Sequence, residues 1–224
     1  MPKLINLLNE NKMTLMVALP KNDKAMAEAA IAGGVDALQL HINTSYFKTF
    51  YEEKDDLVKI VKDSVIPVGI VPGQEVHADE DEMEEIKKLG FDFFNIDANI
   101  VPPFMVKLKG ISRVLALNSK YTLDTLMQSL VKKPEAIDAA IVPAAGKGKH
   151  LIVGDLQHYI SVVLSAGVPV IVPTQRQIRP SEVAIISDTG AKGLMLTSIV
   201  TGDTPSKVEK TVREFRAAVD DLGD

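Results

Sequence analysis

Apolar residues along this chain fall into short runs, and each run is followed by a longer segment in which apolar and charged positions recur with a helical period. The chain opens with an amphipathic segment, Met1 to Lys12, whose Leu4, Ile5, Leu7 and Leu8 predict a short helix. Apolar runs suited to strands then follow at Thr14–Leu19, Val35–Ile42, Ile66–Val71, Phe91–Asp97, Arg113–Leu117, Ala136–Val142, Val168–Val172 and 190–197. Between them lie segments with helix start and stop signals. Asn22 or Asp23 caps a helix that Gly33-Gly34 ends, Gly90 and Gly167 end two others, and Pro205 stands at the first position of the last. Eight strands, each followed by a helical segment, predict an α/β protein, a (β/α)8 TIM barrel with a short N-terminal helix, as one domain over residues 1–224. The structural alternative is a doubly wound open sheet. It would show a glycine fingerprint after the first strand, where this chain has Pro20-Lys-Asn-Asp.

The chain also echoes itself. Gly34-Val-Asp-Ala-Leu-Gln-Leu-His, Gly90-Phe-Asp-Phe-Phe-Asn-Ile-Asp and Gly190-Ala-Lys-Gly-Leu-Met-Leu-Thr align without gaps, with Ile137-Asp-Ala-Ala-Ile-Val-Pro as a looser fourth copy. Side chains alternate along a strand, so the alignment fixes two faces. Leu38, Leu40, Phe94, Ile96, Leu194 and Leu196 form an apolar face for the outer helices. Gln39, His41, Asn95, Asp97, Met195 and Thr197 form a mixed face for the barrel interior.

Composition narrows the function. With 46% hydrophobic and 25% charged residues the chain has the balance of a soluble globular protein. A net charge of −5 gives nucleic acid no electrostatic support, and no long uncharged apolar run suggests a membrane span. Cysteine is absent, which removes disulfides, thiolate metal sites and cysteine nucleophiles. The opening residues lack the apolar core of a secretory signal, so a cytoplasmic location is expected. A homo-oligomer is left open.

The chemistry is expected at the C-terminal ends of the strands. There His41 and Asp97 are the candidate proton carriers, and Gln39, Asn95 and Asn118 the candidate ligands for hydroxyls or an enediolate oxygen. After the last strand, Thr197-Ser198 leads into a short apolar turn, a local pattern that offers hydroxyls and backbone N–H groups to a phosphate. Gln175 and Arg176, in the loop after the seventh strand, flank that position, with Arg176 as the expected charge partner. Gly146-Lys-Gly-Lys149 is a second cationic loop. No lysine sits inside a strand's C-terminal end to form a Schiff base. His41, Glu75, His77 and Asp97 show no tight metal-ligand spacing, so neither a metal nor another cofactor is expected.

The 190–205 stretch with the Val-Glu-Lys-Thr-Val-Arg-Glu-Phe helix after it resembles the end of the ribulose-phosphate-binding barrels. It is most similar to the thiamin-phosphate synthase and N-acetylmannosamine-6-phosphate epimerase branches, and Ala32-Gly-Gly-Val-Asp-Ala-Leu-Gln-Leu-His resembles their second strand. The resemblance implies a small phosphorylated metabolite bound near Thr197 and Ser198, and an isomerase, epimerase or lyase. Three patterns of those barrels are missing. Pro173-Thr-Gln-Arg replaces the Gly-Gly pair after strand seven, the paired metal histidines of ribulose-phosphate epimerases are not both present, and the Asp-x-Lys-x-x-Asp of orotidine-type decarboxylases is absent. These departures keep a second function open, a non-catalytic phosphometabolite-binding or scaffold barrel.

Overall fold

The structure, a computed structural model, describes residues 3–223. Met1 and Pro2, which the expected N-terminal helix includes, lie outside the described residues. Eight parallel strands close into a barrel in sequence order. They are β1 (Thr14–Ala18), β2 (Ala37–His41), β3 (Val68–Val71), β4 (Phe93–Asp97), β5 (Ser112–Ala116), β6 (Ala136–Asp138), β7 (Val170–Pro173) and β8 (Gly193–Leu196). Among the described residues ten α-helices accompany them: α1 (Lys3–Glu10), α2 (Lys24–Gly33), α3 (Phe50–Asp63), α4 (Glu80–Leu89), α5 (Pro103–Lys107), α6 (Leu123–Leu130), α7 (Val153–Ala166), α8 (Val183–Ser187), α9 (Ser198–Thr201) and α10 (Pro205–Asp220). No helix among the described residues is long and apolar enough to cross a membrane.

The alternation of faces sorts the apolar residues into two cores. Leu38, Leu40, Phe94, Ile96, Leu194 and Leu196 pack with the inner faces of the helices in the larger one. Met16, Phe93, Val114, Ile171 and Met195 fill the lumen. Leu4, Ile5 and Leu8 of α1 join this second cluster, so the N-terminal helix plugs the base of the barrel. It is held there by Asp92, whose carboxylate accepts from the Lys3 and Leu4 N–H groups at 2.8 and 2.9 Å. These are backbone donors of the helix's first turn that no helical carbonyl can satisfy.

The internal repeat has a structural meaning, and its fourth copy is not where the sequence reading places it. Gly34, Gly90 and Gly190 each take a left-handed conformation (φ +95°, +100° and +86°) just before an even strand. Before β6 the same role falls to Lys133, a non-glycine residue at φ +51°. Counting from it, Glu135-Ala-Ile-Asp138 matches Asp36-Ala-Leu-Gln39 and Asp92-Phe-Phe-Asn95. Hydrogen bonds agree. Asp36 accepts from Leu15 N–H on the neighbouring strand at 2.7 Å, as Glu135 accepts from Arg113 N–H at 2.7 Å. The expected strand Ala136–Val142 is therefore too long, because the chain leaves the sheet after Asp138.

A left-handed L-residue costs roughly 1 kcal/mol or more relative to glycine. Lys133→Gly is therefore expected to stabilise the protein by up to about 1 kcal/mol, raising Tm by about 2–4 °C in a thermal melt. An unchanged or lower Tm would count against the shared turn geometry.

Candidate functional site

The corrected register brings Gln39, Asn95 and Asp138 to equivalent positions on β2, β4 and β6, all inside the lumen. They are buried and bonded in a row. Asn95 Nδ2 donates to Gln39 Oε1 at 2.9 Å and to Asp138 Oδ2 at 2.7 Å. Asp138 is not among the candidates that the sequence alone suggests. Among the described residues no cation pairs with it. Burial drives its carboxyl up to about 7, against a smaller opposing effect of the Asn95 hydrogen bond. Among the described residues Asp138 Oδ1 and Asn95 Oδ1 are buried without a hydrogen-bond partner, which leaves two acceptors under the mouth unspent.

Above this row stand the residues that end the strands. His41 closes β2. Its main chain is gripped by Asn22, which donates to the His41 carbonyl at 2.6 Å and accepts from its N–H at 3.2 Å. The imidazole stacks on Phe47 with centroids 4.8 Å apart. Burial lowers its pKa to about 4, so the ring is neutral at physiological pH, and Nδ1 has no partner among the described residues. Asp97 closes β4. One carboxylate oxygen accepts from Asn99 N–H and Nδ2 at 2.8 and 3.0 Å, the other from Asn118 Nδ2 at 2.9 Å. Asn118 thus joins Asp97 directly, as its place just past β5 allows. Among the described residues no three His, Asp or Glu side chains gather in an arrangement able to hold a metal ion.

Across the mouth, β7 and β8 are tied by two threonines. Thr197 N–H donates to Thr174 Oγ1 at 2.8 Å, and Thr197 Oγ1 donates to the Thr174 carbonyl at 2.9 Å. Thr197 also caps α9, its hydroxyl facing the Ile199 N–H at 3.4 Å, and Ser198 beside it is exposed.

In the loop after β7 both candidate side chains have partners within the protein. Arg176 is buried, and its guanidinium pairs with Asp155 on α7. Nη2 donates to Asp155 Oδ1 at 2.9 Å, Nε stands 2.8 Å from Oδ2, and Nη1 donates to the Gly146 carbonyl at 2.8 Å. A Cβ at Gly146 would lie 2.8 Å from Arg176 Nη1, so a larger residue there would push the guanidinium off the Gly146 carbonyl. Gln175 is similarly occupied, its Oε1 accepting from Val142 N–H at 2.9 Å. Gly148 N–H donates to the Gln175 carbonyl, and Gln177 N–H to the Lys149 carbonyl. Both side chains serve to bind the β6 and β7 loops to each other. Lys147 and Lys149 are both exposed on that joined loop.

No family model and no curated protein matches this chain. Solved structures do. Thiamine phosphate pyrophosphorylase from Pyrococcus furiosus aligns with 18% identity and a TM-score of 0.67, covering 95% of this chain and 98% of that one. KGPDC from Streptococcus mutans aligns with 14% identity and a TM-score of 0.70, covering 96% and 100%. Phosphoribosyl anthranilate isomerase from Thermus thermophilus aligns with 14% identity and a TM-score of 0.67, covering 94% and 100%. The fold shared with them is the closed eight-stranded (β/α)8 barrel. At these identities the likeness is one of architecture. What it adds to the geometry is the end of the barrel where this architecture places its chemistry, the C-terminal mouth over Asp138.

Proposed function

We propose that the mouth binds a small phosphorylated metabolite and moves a proton on it, as an isomerase, epimerase or lyase. The observation that carries this reading is Asp138, a lumenal carboxyl raised to about 7 and held by Asn95. A group with that pKa is half protonated at neutral pH, which lets it take a proton from carbon and return it. In this reading Asn95 and Gln39 orient Asp138, and the neutral His41 ring offers Nδ1 as a second proton carrier or hydrogen-bond partner. Asp97, steadied by Asn118, orients a substrate hydroxyl. The phosphate lies at Thr197 and Ser198, against the backbone N–H groups that open α9. The structural neighbours include a thiamine phosphate enzyme and a phosphoribosyl anthranilate isomerase, in keeping with this general kind.

The second reading, a non-catalytic phosphometabolite-binding or scaffold barrel, draws on the Arg176–Asp155 pair, which commits the β7-loop guanidinium to a carboxylate. Incubation with a panel of sugar phosphates in heavy water, followed by NMR, separates the two. Exchange of a carbon-bound proton in at least one of them is expected. Saturable binding with neither exchange nor turnover would favour the binder. Ser198→Glu is expected to weaken binding of the phosphorylated compound about tenfold, or about 1.4 kcal/mol. Its dephosphorylated counterpart should bind the variant and the wild type alike, and equal losses for both compounds would move the phosphate elsewhere.

A further inference from the structure

Three of the longer outer helices, α3, α4 and α10, are heavily charged, as a solvated surface requires. Eight of the fourteen positions of α3 are Asp, Glu or Lys. In α7, also fourteen residues long, one position is charged, and that residue, Asp155, is buried against Arg176. Its outward face carries Val153, Ile160 and Leu164 instead, with Leu164 81% exposed. The neighbouring helix repeats the pattern. Leu123 and Met127 on α6 and Val131 just after it recur every fourth residue, and Val131 is 79% exposed. Residues four apart lie on one helical face, and α6 packs beside α7. Both helices follow a strand and run from the mouth back to the base. The two stripes therefore lie side by side as one apolar, almost uncharged face. At their heads Tyr121 and His158 meet edge to face at 6.2 Å, beside a groove of about 280 Å3.

We infer that this α6–α7 face is the two-fold interface with a second copy of the same chain. Two observations select that occupant. The six side chains leave roughly 600–700 Å2 of apolar surface open per copy, close to the roughly 800 Å2 per partner that a stable protein interface covers. The charged helices α3 and α4 are net acidic, as is the whole chain at −5, so copies meeting through them would bring like charges together. This face avoids that cost, and a two-fold axis lets one apolar patch serve both sides. A patch of this size and composition is uncommon on a monomer.

Sedimentation of the full chain tests the inference. Wild type is expected to run at twice the monomer mass at micromolar concentration. The Met127→Glu, Leu164→Glu double variant should run as a monomer, with its dissociation constant raised at least a hundredfold. Both substituted positions are exposed, so circular dichroism and Tm are expected to stay near wild type, which separates lost association from lost folding. Because the chain has no cysteine, Ile160→Cys adds a single thiol near the middle of the face, and mild oxidation should cross-link it into a dimer. A wild type that is monomeric at about 100 µM would overturn the inference and leave the face to some other partner. A dimer that survives the double glutamate variant would place the interface elsewhere.

Discussion

Asp138→Asn is expected to leave the protein more stable than wild type at pH 8 and unable to exchange protons with its substrate. The carboxyl has an ordinary value of 3.8 and is raised to about 7 in the folded barrel. Between those values the folded state holds a proton that the unfolded state has released, so this group's contribution to stability falls as pH rises and levels off above 7. Three pH units correspond to a cost on the order of 4 kcal/mol once Asp138 is ionised. Asparagine removes the charge but brings two amide donors into the lumen, which takes back part of the gain. A net stabilisation of about 2 kcal/mol at pH 8, turning into a net destabilisation of about 2 kcal/mol towards pH 4 where only the amide's cost remains, is the expected result. Proton exchange should drop about a hundredfold or more in the same variant.

His41 gives the measurement a second signature. Its pKa falls from 6.5 to about 4 on burial. Over that window the unfolded state binds the extra proton, so the contribution of His41 rises with pH, opposite in sign to that of Asp138. The two slopes mask each other in wild type. Asp138→Asn should expose a stability that climbs from pH 4 to 6.5, read by urea unfolding across that range. A difference between variant and wild type that does not change with pH would show that Asp138 is not the buried, titrating group described here. A variant that is more stable yet fully active would remove it from the chemistry.

The fold was legible in the chain because barrel strands and their helices differ in period, and periodicity survives without any knowledge of contacts. The faces were legible for the same reason. Gln39 and Asn95 could be placed inside the barrel from their neighbours Leu38 and Leu40, Phe94 and Ile96 alone. Asp138 escaped because the repeat was traced by its glycines, and before β6 the left-handed position is held by Lys133. Aligning Ile137-Asp138 with Val35-Asp36 moved Asp138 to the base of its strand, where Glu135 stands. The acidic residue at the base and the polar one three places later, Asp36 with Gln39 and Asp92 with Asn95, would have located it. For a different reason the partner of Arg176 was not legible. The sequence position of Arg176 beside the expected phosphate was the basis of its role, but its partner Asp155 is on another element, 21 residues away, and only the packing of α7 brings them together.

That pair leads to the second large effect. Arg176→Ala should destabilise the protein by about 3–5 kcal/mol, since it strips a buried carboxylate of its counter-charge. Among the described residues Asp155 would keep only its contact with the Ile152 N–H, 3.0 Å away at the start of α7. The β6 loop would lose the guanidinium that its Gly146 carbonyl accepts from. Replacing both charges together, with Asp155→Asn and Arg176→Met, leaves no uncompensated ion and should cost less than Arg176→Ala alone, a coupling that a double-mutant cycle in urea reads directly. Phosphate affinity of the folded Arg176→Ala protein should match wild type, because the guanidinium is already spent on Asp155. If instead the variant unfolds at the wild-type urea midpoint and no longer binds phosphate, then Arg176 leaves Asp155 for the ligand and belongs to the anion site after all.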